Sequence, residues 1–150
     1  MDNAYKQVLD RSYFIQGEEC TKFEEVFAAY CDAKYCIGVA TGLDALWLVL
    51  KAMGIGKGDE VIVPAITFVA TMAYPLAIGC KLVFADVDPK TINMDPADVA
   101  RKITDKTKMI VPVHIGGYPV DLDPIMELAK KHNILVLEDA AHAFGAMYKG

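Results

Sequence analysis

Asp139 and His142 close the run Asn133-Ile134-Leu135-Val136-Leu137-Glu138-Asp139-Ala140-Ala141-His142. An aspartate here supplies negative charge and hydrogen-bond acceptors, and a histidine three positions on can donate or accept near neutral pH. The apolar residues 134–137 before them follow the pattern of a strand buried on both faces of a parallel sheet. In open α/β sheets, ligands bind just beyond the carboxyl ends of the strands. A carboxylate placed there, followed by the small Ala140 and Ala141, suits a flat ligand bearing a cationic group. The plainer alternative is that Asp139 caps the next turn.

Two other stretches carry comparable chemistry. Residues 35–40 read as a short strand, Thr41-Gly42-Leu43-Asp44 as a turn, and residues 45–53 as a strongly apolar helix. A strand, a glycine turn and a helix in that order aim free backbone N–H groups at a phosphate. Any tight strand-to-helix turn could also use a glycine. The second stretch is Pro64-Ala65-Ile66-Thr67-Phe68, at the carboxyl end of the expected strand 60–63, where Phe68 offers a flat face; ordinary core packing is its alternative.

The elements that must position these residues alternate along the chain. A helix opens at Gly17-Glu18-Glu19, with Phe23, Val26, Phe27 and Tyr30 on one packing face and glutamates in its N-terminal half, where the helix dipole favours them. Helix 70–78 follows Phe68, and strand 81–85 follows it. Asp95-Pro96 caps a short, exposed helix running to Ile103, and strand 108–113 leads to His114, read as a loop residue, and to Gly116-Gly117. Asp123-Pro124 starts a further helix ending near His132-Asn133. The β-α units alternate five times, which predicts an α/β fold with a mostly parallel, doubly wound sheet. Residues 61–78 carry no charge, but Pro64, Pro75, Thr67 and Thr71 mark them as strand, loop and helix rather than a membrane span.

Composition narrows the partners. The 150 residues carry a formal charge of −5 and no basic run, which argues against nucleic acid. No signal peptide is evident at the N-terminus, and a soluble, cytoplasmic protein without membrane contact is expected. Cys20, Cys31, Cys36 and Cys80 form no CxxC pair and have no histidine at metal-ligand spacing, so no metal site is expected and most are read as buried, reduced thiols. A phosphate cradle at Gly42, an aromatic plate at Phe68 and a carboxylate at Asp139 together fit pyridoxal 5'-phosphate, whose phosphate needs a helix N-terminus and whose ring nitrogen needs an acid partner. The G-x-G-x-x-G and G-x-x-x-x-G-K-[ST] patterns of nucleotide sites are absent.

The chain resembles the DegT/StrS sugar-nucleotide aminotransferases of the type I pyridoxal-phosphate fold. The resemblance runs from Gly17-Glu18-Glu19 through Gly42-Leu43-Asp44-Ala45-Leu46, Gly58-Asp59-Glu60-Val61-Ile62-Val63-Pro64, Thr67-Phe68-Val69-Ala70-Thr71, Phe84-Ala85-Asp86-Val87-Asp88 and Pro112-Val113-His114 to Glu138-Asp139-Ala140-Ala141-His142-Ala143. It implies that the amides of Leu43 and Asp44, in the Gly42 turn, hold the cofactor phosphate. Phe68 would stack on the ring, Asp139 would pair with the ring nitrogen, and His142 would lie near the ring hydroxyl. Many members carry threonine at the position of Leu43; those with leucine include 3-aminotransferases acting on keto-deoxyhexoses.

The family's Schiff-base lysine falls beyond Gly150, so no catalytic residue is assigned within the chain, and Lys149 is not that lysine. The chain is expected to be the N-terminal part of the cofactor-binding large domain, with the rest of that domain and a small C-terminal domain outside it, and to be inactive and poorly stable alone. The activity implied is transfer of an amino group, with glutamate as expected donor, to a keto-sugar nucleotide by a homodimer with its site near the subunit interface. A sugar-nucleotide 3-dehydratase of the same family is the rival, and a non-catalytic binding or regulatory domain is the reading if the chain is complete.

Overall fold

A computed structural model describes residues 2–150. The chain forms two units, one ending at Ala40 and one spanning Thr41–Gly150. The first unit holds helices α1 (Asp2–Arg11) and α2 (Glu18–Tyr30). Gly17 caps α2 as expected, and Arg11 pairs with Glu18 and Glu19 in its first turn.

Two expectations fail in this unit. No residue of α2 is buried, so its apolar positions find no core within this unit. Residues 35–40 form no strand. A strand exists only through a ladder partner, and none of the described strands pairs with this segment; the Gly38 N–H instead donates to Glu24 Oε1 at 2.6 Å. The described residues therefore hold four strands rather than five.

The second unit is built on β1 (Glu60–Pro64), β2 (Lys81–Ala85), β3 (Thr107–Ile110) and β4 (Leu135–Val136), all parallel, in the order β2-β1-β3-β4. Side chains alternate across the sheet. Val61, Val63, Met109 and Val111 pack on one face with Leu50 of α3 (Gly42–Ala52) and with Met72 and Tyr74 of α4 (Ala70–Ala77). Ile62 and Ile110 pack on the other with Val99 of α5 (Pro96–Lys102) and with Ile125 and Ala129 of α6 (Leu122–His132). Each fully buried Val, Leu, Ile or Met among them contributes about 1.5–3 kcal/mol of burial energy. The sheet is thus covered on both faces, as in a doubly wound fold. The chain runs from β1 outward to β2, then returns past β1 to β3, so its direction reverses between β1 and β3, the place where such folds open a ligand crevice.

Other differences are local. Strand β4 is an edge strand whose Leu135 is 43% exposed, not a strand buried on both faces. Helix α5 is not exposed throughout: Asp98 and Val99 are buried, because Asp98 receives the Asp86 N–H at 2.6 Å and draws the helix onto the end of β2. Helix α6 begins at Leu122 with Asp121 as its N-cap, two residues before the expected start, which puts Asp123 inside its first turn. Only Cys80 of the four cysteines is buried, because it alone packs against the sheet, and that burial pushes its thiol pKa up. No helix among the described residues is long and apolar enough to cross a membrane.

Candidate functional site

The ladder beyond β3 and β4 sets the site. The Asp139 N–H donates to the Pro112 carbonyl at 2.9 Å, and the Asp139 carbonyl accepts the His114 N–H at 3.2 Å. Val113 and Asp139 form a parallel bridge. Pro112 cannot donate, yet its carbonyl still anchors Asp139, so the backbone of the carboxylate is held from both sides.

The Asp139 side chain is held as firmly. Oδ2 accepts the Thr71 hydroxyl at 2.9 Å and Oδ1 accepts the Ala141 N–H at 3.3 Å. Both donors are neutral, and each carboxylate oxygen can accept a further hydrogen bond. Asp139 therefore does more than cap a turn: it bonds Ala141 locally and still lines an open cleft of about 380 Å³.

That cleft brings together Gly42, Leu43, Phe68, Asp139 and His142. Of the residues expected at the site, only Asp44 is not in its wall. At its α3 end, Thr41 is the N-cap: its hydroxyl accepts the Asp44 N–H at 3.1 Å and donates to Asp44 Oδ2 at 2.8 Å. The Asp44 amide is thus engaged by the cap. The Gly42 and Leu43 amides find no acceptor among the described residues. Gly42 needs no left-handed φ, and a Cβ there would meet no protein atom within 4 Å. The fold does not require this glycine, and its missing side chain leaves room against the free amides on the cleft side.

Phe68 is 71% exposed and lies outside the core of the described residues. His142 is exposed as well, and its Nδ1 accepts the Gly116 N–H at 3.4 Å. Gly117 lets these segments meet: its φ is +82°, and a Cβ there would lie 2.9 Å from the His142 carbonyl oxygen. His114, read from sequence as a loop residue, is buried; its Nδ1 accepts the Val120 N–H at 3.0 Å and its Nε2 faces Glu138 Oε2 at 3.0 Å. That backbone donor assigns the ring proton to Nε2. His114 braces the strand end rather than facing the cleft.

Sequence reading missed Thr71, whose bond to Asp139 spans 68 positions, and the lining residues Thr41, Thr67, Val113 and Ile115. The i, i+4 spacing of Thr67 and Thr71 was the available signal, though nothing local links it to Asp139. Among the described residues, no lysine lines the cleft. Lys149 pairs with Asp123 and lines a separate cavity.

The cleft has two electrostatic poles. Free amides at the N-terminus of α3 carry the partial positive charge of the helix dipole, and the anchored Asp139 is negative. A ligand with an anionic group at one end and a cationic ring at the other matches both, and the exposed face of Phe68 suits a flat ring. These residues fit pyridoxal phosphate.

The chain as a whole is similar to known proteins. Residues 1–150 match the profile of the DegT/DnrJ/EryC1/StrS aminotransferase family. The chain is 47% identical over 150 residues to the dTDP-3-amino-3,6-dideoxy-alpha-D-galactopyranose transaminase of Aneurinibacillus thermoaerophilus, covering all of this chain and 41% of that protein. Its fold superposes on an aminotransferase from Psychrobacter cryohalolentis with a TM-score of 0.94 at 47% identity, over 99% of this chain and 38% of the other. NtdA of Bacillus subtilis, solved with bound cofactor PMP, matches with a TM-score of 0.89 at 37% identity, over 92% of this chain and 32% of the other. The chain spans less than half the length of each of these relatives.

Proposed function

The chain belongs to the DegT/DnrJ/EryC1/StrS aminotransferase family, and we propose that its cleft holds pyridoxal 5'-phosphate for amino transfer to a keto-sugar nucleotide. The observation that carries this is the single cleft joining free α3 amides to a carboxylate pinned by neutral donors. The name of the Aneurinibacillus relative supports a sugar-nucleotide substrate, and the PMP bound to NtdA supports the cofactor.

When bound, pyridoxal phosphate supplies an electron sink for negative charge developing on a carbon next to nitrogen. The chain's own residues set the conditions for that. The Gly42 and Leu43 amides would bind the phosphate through two N–H donors and the helix dipole. Asp44 contributes its amide only when the Thr41 hydroxyl turns away. Leu43 brings no hydroxyl to the phosphate, a loss of about 0.5–1.5 kcal/mol relative to a threonine that donates there. Phe68 would cover one ring face and keep water from it. Asp139 would hold the proton on the ring nitrogen, and His142, on the cleft wall, would serve the ring hydroxyl. The reading extends to a homodimeric, cytoplasmic enzyme that would use glutamate as donor.

The test is direct. Full-length protein is supplied with pyridoxal phosphate, glutamate and a panel of keto-sugar nucleotides, and the products are followed by mass spectrometry. Formation of 2-oxoglutarate and an amino-sugar nucleotide is expected. Loss of a sugar hydroxyl without gain of nitrogen would identify a 3-dehydratase, and a folded protein that transfers no amino group would overturn the proposal.

A further inference from the structure

Thr67, Thr71 and Asp139 form a chain of hydrogen bonds. Thr67 Oγ1 lies 2.9 Å from Thr71 Oγ1, which lies 2.9 Å from Asp139 Oδ2. The direction of this chain follows from valence. A carboxylate only accepts, so the single Thr71 hydroxyl proton goes to Asp139. Thr71 can then only accept from Thr67, which spends its own proton on that bond. The Thr67 oxygen, on the cleft wall, keeps acceptor capacity toward whatever fills the cleft.

Thr71 is 2% exposed, on α4. A threonine in a helix commonly returns its hydroxyl to the carbonyl four residues earlier. Here, among the described residues, the hydroxyl bonds Thr67 Oγ1 and Asp139 and no backbone carbonyl. With Oδ2 held by Thr71 and Oδ1 by the Ala141 N–H, the carboxylate cannot rotate without losing a bond. We infer that Thr71 is a positioning residue: through the Thr67-Thr71 relay it fixes the rotation of Asp139 and donates to its charged form, so that one orientation of the carboxylate meets the ring nitrogen of the cofactor. This rests on the cofactor assignment above.

The experiment titrates pyridoxal phosphate into the full-length protein and its Thr71→Val and Thr71→Ser variants, following binding by absorbance and ring protonation by the 15N shift of labelled cofactor. Loss of one hydrogen bond to a charged group predicts about tenfold or greater weakening for Thr71→Val. Its ring-nitrogen signal is expected to move toward the unprotonated form, and Thr71→Ser is expected to restore both readouts. A Thr71→Val variant with wild-type affinity and an unchanged 15N signal would overturn the inference alone. A wild-type protein that does not bind the cofactor would overturn the cofactor assignment and the inference with it. Should Thr71→Val not fold, Thr67→Val decides: about two- to fivefold weaker binding is expected from loss of the outer link, and wild-type binding would overturn the relay.

Discussion

Asp98 and Asp139 are aspartates at the carboxyl side of strands in the same sheet, yet they are satisfied in opposite ways. Asp98 is buried and accepts from the Asp86 N–H at 2.6 Å, from Arg101 at 2.8 Å and from Lys102 at 2.6 Å. Lys102 chiefly, with the Asp86 N–H and then Arg101, holds its pKa down at about 2. Its charge is neutralised by its own helix, and it works as a clamp. Among the described residues, the Asp139 carboxylate has only neutral donors, Thr71 and Ala141, and it faces a cleft. A carboxylate fixed in place but not neutralised by the chain is one prepared for a cation from outside. The number of donors matters less here than whether any of them is charged.

Substitution of each carboxylate separates the two roles. Asp139→Asn in the full-length protein is expected to weaken pyridoxal-phosphate binding by about 2–4 kcal/mol, roughly 30- to 1000-fold, because a desolvated charge pair is lost. Thermal stability should change little. A titration giving wild-type affinity would remove the contrast with Asp98.

Asp98→Asn should act on stability and leave cofactor affinity near wild type. The folded pKa of Asp98 lies below its unfolded value of 3.8, so the folded state holds this proton less tightly. The stabilisation is present above about pH 4 and is lost as the pH falls toward 2. Because its cationic partners are partly solvated, we expect about 1–2 kcal/mol at pH 7, discounted for screening. Urea unfolding from pH 7 to pH 2 checks this: the wild-type should lose that increment and the variant should not.

Phe68→Ala sharpens the ligand side of the comparison. Phe68 is 71% exposed, so its removal should change stability by less than about 0.5 kcal/mol, while loss of ring stacking weakens cofactor binding by about 1 kcal/mol, roughly fivefold. Equal losses in the two measurements would make Phe68 a packing residue. The smallest effect expected is that of Thr41→Ala, which removes the α3 cap at a cost of about 0.5–1 kcal/mol in thermal melts. It also releases the Asp44 amide toward the cleft, so phosphate affinity should hold or rise; a large fall would show that Thr41 itself contacts the phosphate.

Much of the site was legible along the chain because its parts are local. A glycine turn before an apolar helix, an aromatic after a strand and an aspartate before small residues each declare themselves within a few positions, and the cleft joins Gly42, Leu43, Phe68, Asp139 and His142. Caps were legible for the same reason where the carboxylate and the amide it receives are adjacent, as at Asp95 and Ala97. At Asp121 the rule misled, because Asp123-Pro124 offers the same local signal two residues later.

From residue 60 onward the amino-acid order by itself determined the alternation of strands and helices, the periodicity that covers both sheet faces, and the residue types at each strand end, since these depend on neighbours within a turn or a pleat. Only the tertiary structure decided which groups satisfy which. It seated Thr71 against Asp139 and Val120 against His114, brought Gly117 under the His142 carbonyl, and left residues 35–40 without a ladder. Each of those outcomes depends on a partner brought near through the sheet rather than along the chain. Hydrogen-bond satisfaction is a property of that three-dimensional neighbourhood, so the same aspartate side chain became a clamp at Asp98 and an open acceptor at Asp139.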